Sequence, residues 1–206
     1  MSYLSRSLTA LALAALILPG LALPQAAAEG SRPWAFRSGP LMTGSSDMSE
    51  PNGFKVYSAV TLEAGLSRRL NRFLSLEFCL APESHEVDQA AGAGRRANLG
   101  SLELLPLTLV LLYRPTLGGS IHPYGGAGLN FTFCWEKSGA LDSAGVSSSF
   151  GPALALGADF DLAPRLMFNL NFKWFPLTTD VDLEGARLAR LKIHPASLSA
   201  GLKFEF

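Results

Sequence analysis

The last ten residues of the chain, 197–206, alternate strictly between two kinds of side chain. One face carries leucine, alanine and phenylalanine, and the other carries serine, glycine, lysine and glutamate. A period of two is that of a β-strand with two different faces. An edge strand with such a long apolar row is poorly suited to water. We therefore expect this face to meet lipid, and the strand to close a barrel against the first strand through Leu202, Phe204 and Phe206.

Seven further segments show the same alternation, which predicts an all-β fold: an eight-stranded antiparallel up-and-down transmembrane β-barrel. The predicted strands are 34–42, 54–68, 72–82, 102–113, 121–135, 146–162, 166–176 and 193–206. The connections between them alternate in length, as in outer-membrane barrels, which have short periplasmic turns and longer external loops. We expect the long connections to be loops, at 43–53, 83–100, 136–145 and 177–192.

The first 28 residues have the pattern of a secretory signal peptide, with Arg6 before an apolar stretch and small residues before a cleavage site near Ala28. An uncleaved anchor is the alternative, but Pro19 and Pro24 leave the apolar stretch shorter than the roughly 20 residues of a spanning helix. We therefore expect residues 29–206 to form the exported barrel. A formal charge of zero and 17% charged residues argue against a nucleic-acid partner.

The face opposite the apolar one carries small residues and charges of both signs, which suits a narrow lumen where charges pair. A secreted β-sandwich is the alternative, but its apolar faces pack on each other, whereas here they are wide and aromatic on nearly every strand. Eight strands leave little open channel compared with a porin. The candidate lumen-lining residues are Arg37, Glu63, Glu77, Val110, Leu112, Asn130, Asp159, Asn169, Lys173 and Lys203.

Two stretches, L-P-L-T-L-V-L-L-Y-R-P at 105–115 and H-P-Y-G-G-A-G-L-N-F at 122–131, resemble the outer membrane protein W (OmpW) family. Residues 149–151 and the ending I-H-P-A-S-L-S-A-G-L-K-F-E-F extend the resemblance, which covers about 102–206. It implies an eight-stranded barrel in a Gram-negative outer membrane, with an apolar pocket toward the external end. It also implies passage of small hydrophobic compounds, and surface roles as phage or bacteriocin receptors.

Residues that carry chemistry are scattered in the sequence. Cys79 and Cys134 fall on strands that are not neighbours, so we expect unbridged, buried thiols. His85, His122 and His194 have no metal-ligand spacing, and the pairing of Ser84 with His85 lacks a hydrolase motif. Gly125–Gly128 precedes neither a helix nor a lysine, so it is not a phosphate loop. We expect no enzyme activity and no cofactor.

Two functional hypotheses follow for an outer-membrane protein of this pattern. The first is a narrow channel or pocket for the passage of small hydrophobic molecules. The alternative is a non-conducting structural or adhesive barrel whose external loops bind partners. The expected partners are outer-membrane lipid, the barrel-assembly machinery through the C-terminal strand, and small hydrophobic ligands, without nucleic acid.

Overall fold

A closed antiparallel sheet dominates the computed structural model, which describes residues 32–44, 46–47, 54–90, 96–139, 145–146, 148–183, 186–193 and 196–206. These residues lie in one compact unit, Arg32–Phe206, and the predicted signal peptide lies outside them. The described strands are β1 (Trp34–Thr43), β2 (Ser46–Asp47), β3 (Phe54–Val56), β4 (Ala59–Arg69), β5 (Leu74–Leu80), β6 (Glu83–Ala90), β7 (Arg96–Tyr113), β8 (Ile121–Lys137), β9 (Gly145–Val146), β10 (Ser149–Ala163), β11 (Leu166–Trp174), β12 (Leu177–Leu183), β13 (Ala186–Ile193) and β14 (Ala196–Glu205).

Eight of these strands close the barrel in the order β1, β4, β5, β7, β8, β10, β11, β14. The final strand β14 pairs antiparallel with β1, for example at Phe36 opposite Phe204, and with β11 on its other side. Every pairing around the ring is antiparallel. This confirms the predicted fold class and the predicted joining of the last strand to the first.

Large apolar side chains cover the outer face of the barrel. Outward positions such as Val60, Leu129, Leu156 and Phe172 are exposed, while the residues between them point inward. In water such a surface would be unfavourable, whereas it matches the apolar band of an outer-membrane barrel. Among the described residues, no helix has the length and hydropathy needed to cross a bilayer.

Two of the predicted loops are wrong, because the strands continue beyond the lipid-facing region. Residues 83–100 contain β6, paired with the first part of β7, and residues 177–192 contain the hairpin of β12 and β13. In β6 the inward His85 and Val87 are buried, while the outward side chains are polar. A strand outside lipid needs no apolar outer face, so its polar composition resembles that of a loop.

The other long connections differ less from the prediction. The predicted strand 54–68 is interrupted after Val56, which separates β3 from β4. The short strand β2 lies within the predicted loop 43–53, and β9 begins at the end of the predicted loop 136–145.

Two glycines allow β8 to approach the backbone of β7 closely. A Cβ atom at Gly126 would lie 2.2 Å from the Leu111 carbonyl oxygen, and one at Gly128 would lie 1.9 Å from that of Leu109. Neither position has room for a side chain without movement of the backbone. The glycine-rich segment therefore serves packing, and the crowding comes from the neighbouring strand's backbone.

Candidate functional site

The barrel interior contains all ten candidate lumen-lining residues as buried side chains. None is more than 4% exposed: Arg37, Glu63, Glu77, Val110, Leu112, Asn130, Asp159, Asn169, Lys173 and Lys203. Nine of them belong to two charge clusters and an apolar layer, which are described below. The tenth, Asn130, is hydrogen-bonded to Thr108 and Thr132 on β7 and β8.

The first cluster, here called the central charge cluster, consists of Arg37, Glu63, Glu77 and Lys173. The Arg37 guanidinium donates to both carboxylates, with an Nη2–Oε1 distance of 3.1 Å to Glu77, and Lys173 pairs with Glu63. These side chains start from β1, β4, β5 and β11. Arg37 and Glu63 lie on neighbouring strands, whereas Lys173 on β11 reaches Glu63 on β4 past two intervening strands. Two positive and two negative charges balance, as buried ions require.

The second cluster, here called the inner charge cluster, lies nearer the short turns and is centred on Asp159. Its carboxylate accepts from Lys203 at 2.7 Å, from Arg114 at 2.5 Å and from the Asn169 amide at 2.6 Å. Arg114 also lies 4.4 Å over the ring centre of Tyr124. Lys203 and Asn169 are among the predicted lumen residues, but Arg114 follows directly after β7 in a predicted turn and was missed.

An apolar layer adds to the closure of the bore. Val110 and Leu112 pack with Tyr124 and Ala155 in one buried cluster. The Tyr124 hydroxyl accepts from the amides of Asn169 and Asn171 on β11, at 2.8 Å and 2.9 Å. The apolar layer and the two charge clusters therefore place buried side chains across the described interior.

A third buried group lies beyond the central charge cluster, on the side of the long loops. Thr43 donates to Glu83 at 2.9 Å, and the other Glu83 carboxylate oxygen contacts His85 Nε2 at 2.8 Å. His85 Nδ1 lies 2.9 Å from the Tyr57 carbonyl oxygen. The sequence pattern does not indicate that Glu83 is an interior residue, because Glu83 lies in a predicted loop. The outward side chains of β6 are polar, which places this group outside the lipid-facing band.

Both ring nitrogens of His85 face acceptors, which favours the doubly protonated imidazolium. Burial disfavours this charged form, but the Glu83 carboxylate and the Tyr57 carbonyl outweigh burial and raise the pKa of His85 above its usual range. The resulting stabilisation is fully present below the unfolded pKa of about 6.5. It is lost as the pH rises through the higher folded pKa.

We expect this pH dependence to be visible at the Tyr57 amide, which donates to the Glu86 carbonyl at 3.1 Å. Its hydrogen-exchange protection factor should fall as the pH rises above about 6.5, because neutral His85 bonds only one of its two acceptors. The Leu66 amide, within the β4–β5 ladder, should keep a constant protection factor. A fall at Tyr57 that persists in His85→Gln would contradict this assignment.

The barrel wall has a break in its hydrogen-bond ladder between β4 and the junction of β5 with β6. The β4–β5 ladder ends at Ala64 opposite Leu80, and further along the Tyr57 amide donates to the Glu86 carbonyl. Between these points, the Thr61 hydroxyl donates to the Pro82 carbonyl. Pro82 has no N–H group to donate to β4. The residues 59–63 and 81–85 therefore face each other across the wall without a backbone ladder.

A small cavity of about 10 Å³, with room for about one water molecule, lies directly behind this break. Glu63, Leu80 and Ala81 line it from both sides of the break. The rest of its lining is mixed, with an apolar part and a polar part: Leu41, Cys79, Glu83, Pro106, Thr108, Lys173, Phe175 and Ser197. On the outer surface at the break, Val60 and Leu62 are 74% and 59% exposed.

Of the other residues singled out in the sequence, the structure describes both cysteines, Ser84, His85 and His122. Cys79 and Cys134 form no disulfide; Cys79 is buried, and Cys134 is only half-buried, which differs from the expectation for that thiol. His122 lies 3.0 Å from Asp161 at the short-turn end, and His194 lies outside the described residues. Ser84 points outward and His85 inward on β6, so they do not form a dyad.

The closed eight-stranded sheet, the apolar outer band and the charged interior define a bacterial outer-membrane β-barrel. The OmpW family model matches residues 41–206, and the chain belongs to this family. The match covers the sequence stretches that carry the resemblance. It therefore confirms the predicted family and the predicted location in the outer membrane.

Comparisons with known proteins agree with this assignment. The uncharacterized outer-membrane protein y4mB of Sinorhizobium fredii is 28% identical over 191 residues, covering 87% of this chain and 82% of that protein. The dibenzothiophene metabolism operon protein PahQ of Pseudomonas aeruginosa is 32% identical over 93 residues, 45% of this chain and 44% of that protein. The crystal structure of OprG from Pseudomonas aeruginosa has a TM-score of 0.71 at 23% identity, covering 85% of this chain and 96% of that structure.

Proposed function

We propose that this protein transfers small apolar molecules from the cell exterior into the outer membrane through the side of its barrel. The observation that carries this proposal is the ladder break between β4 and β6, with a cavity behind it and apolar residues outside it. Below the cavity, the two charge clusters place buried ion pairs in the interior. A molecule that reaches the cavity therefore has its shortest way out through the wall.

The energetics of opening favour this route. Each ladder hydrogen bond contributes about 0.5–1.5 kcal/mol net, and residues 59–63 make none with β5 or β6. The cavity is too small for a solute larger than water, so its wall must move to admit one. The free energy needed to open the wall is smallest where the fewest backbone hydrogen bonds have to break. Opening the bore instead would require separating buried ion pairs.

The proposed class of solute follows from the lining and from a relative. Leu41, Leu80, Ala81, Pro106 and Phe175 give the cavity an apolar side. The name of PahQ connects that protein with the metabolism of dibenzothiophene, an apolar aromatic compound. Small aromatic hydrocarbons are therefore suitable first probes.

A non-conducting structural or adhesive barrel is the second candidate, because an interior with buried ion pairs is equally suitable for it. We infer no enzyme activity in either case. Both nitrogens of His85 are occupied by Glu83 and Tyr57, so this histidine has no lone pair directed at a nucleophile. Uptake measurements separate the two candidates, since an adhesive barrel needs no cavity.

Filling the cavity should test the proposal. We expect Ala81→Phe to reduce uptake of a small aromatic hydrocarbon by cells toward the rate of cells lacking the protein, because the ring is larger than the cavity and overfills the space behind the break. Ala158→Phe is the matched control, since Ala158 lies on the lipid-facing side of β10. Uptake by Ala81→Phe equal to that of Ala158→Phe, with both variants folded, would favour the structural or adhesive barrel.

A further inference from the structure

His85 connects the two sides of the ladder break at the end nearer the long loops. Its Nε2 atom lies 2.8 Å from the Glu83 carboxylate on β6, and its Nδ1 atom lies 2.9 Å from the carbonyl oxygen of Tyr57, in the connection between β3 and β4. A backbone bond lies beside it, from the Tyr57 amide to the Glu86 carbonyl at 3.1 Å. The imidazole ring therefore joins β6 to the start of β4 beyond the end of the β4–β5 ladder.

The β6 side of this connection is held in place from a third strand. Thr43, at the end of β1, donates to Glu83 at 2.9 Å, and Glu83 also lines the small cavity behind the break. Glu83 and His85 are both buried. A hydrogen bond that His85 loses is therefore not replaced by water unless the wall moves.

Glu83 is the charged group that His85 contacts directly. The residue opposite His85 on β7 is the apolar Leu102. The other charged groups on the surrounding strands have different contacts or point to the outer face: Lys55, Glu63, Glu86, Asp88, Glu103 and Lys173. Burial opposes the charged ring, but Glu83 and the Tyr57 carbonyl outweigh burial and raise the pKa of His85 above its ordinary value.

The two contacts of His85 require the protonated ring. An imidazolium donates from both nitrogens, whereas a neutral imidazole has one N–H group and one lone pair. A neutral ring would therefore direct a lone pair at one of its two acceptor oxygens. The Glu83 carboxylate is the stronger acceptor, so the proton stays on Nε2 and the contact with Tyr57 is lost. That contact is the one that joins the two sides of the break.

We propose that His85 is a pH-sensitive switch in the barrel wall: the protonated ring holds the ladder break closed, and the neutral ring releases it. This inference rests on the proposed transfer function, because it assigns a regulation to the same break. Transfer of an apolar molecule is therefore slow in an acidic medium and fast in an alkaline one. The switch lies on the side of the long loops, so it responds to the pH of the external medium.

A distance across the break tests the switch without any transported molecule. Spin labels at Val60→Cys and Ser84→Cys, in a chain without other cysteines, report the separation of the two sides, because both positions are exposed. We expect the label distance from electron paramagnetic resonance to lengthen by a few ångströms between about pH 6 and about pH 9. The distance for Leu66→Cys/Phe78→Cys, within the intact ladder, should stay constant. A constant distance across the break would overturn the switch.

Uptake of a small aromatic hydrocarbon by cells, above the rate of cells lacking the protein, tests the regulation. It should rise at least about tenfold over the same pH range, since a hydrogen bond to a charged group changes an equilibrium by about that factor or more. His85→Gln should remove the pH dependence, and Glu83→Gln should move its midpoint to lower pH. His122→Gln is the matched control and should leave it unchanged, because His122 contacts Asp161 at the opposite end of the barrel.

The two measurements separate the switch from the transfer function. Uptake that does not change with pH would overturn the inference and leave transfer through the wall intact. A pH-dependent label distance without uptake at any pH would contradict the transfer function and leave the switch in place. A pH dependence of uptake that persists in His85→Gln would assign the switch to another group and would also overturn the inference.

Discussion

Replacing Arg37 with methionine is expected to lower the free energy of unfolding by about 3–5 kcal/mol, the usual loss when one partner of a buried ion pair is removed. Arg37 donates to Glu63, Glu77 and the Cys79 sulfur, and none of these side chains is exposed to water. Methionine fills much of the same volume. The loss therefore comes mainly from the Glu77 carboxylate, which is left in the interior without its cation.

Urea unfolding of the barrel in lipid vesicles, followed by tryptophan fluorescence, measures this effect. Arg69→Met is the matched control, because the Arg69 side chain is 44% exposed and its pair with Glu205 should contribute no more than about 1 kcal/mol. Adding Glu77→Gln to Arg37→Met should recover part of the loss by removing the unpaired charge. Equal stability of the Arg37 and Arg69 variants would mean that the central charge cluster does not stabilise the barrel.

The alternation of side chains was sufficient to predict the barrel and the burial of its polar face. Where a strand crosses lipid, each outward side chain must be apolar, so the period of two is strong at 121–135 and 197–206. The inward side chains have no such uniformity. Their small and charged character still marks them as interior, because a narrow lumen requires paired charges.

The same reasoning fails where lipid no longer constrains the outer face. Strand β6 is polar on its outer face, and such a pattern predicts a loop, so the sequence does not connect Glu83 and His85 with the interior. Periodicity also cannot show which inward side chains meet across the bore. Arg37 contacts Glu77 from a strand two positions away around the ring, and such pairs depend on strand tilt and stagger. Val110 and Leu112 were predicted to line the lumen, but their packing with Tyr124 and Ala155 could not be predicted from periodicity.

The ladder break could not be predicted from the sequence either. Pro82 is compatible with a turn, a strand end or an edge, and only the pairing of Leu80 with Ala64 shows where the ladder stops. If that register continued, Leu62 would lie opposite Pro82 on the outer face. These two positions therefore offer a way to hold the break closed by a disulfide.

Uptake by Leu62→Cys/Pro82→Cys, compared in its oxidised and reduced forms, tests the transfer through the barrel wall most directly. The background lacks Cys79 and Cys134, and the matched control is Leu66→Cys/Phe78→Cys, an outward pair within the intact ladder. We predict that oxidation reduces aromatic-hydrocarbon uptake to the rate of cells lacking the protein, and that a reductant restores uptake. Neither treatment should change uptake by the control variant. Undiminished uptake with the break bridged would contradict exit through the barrel wall.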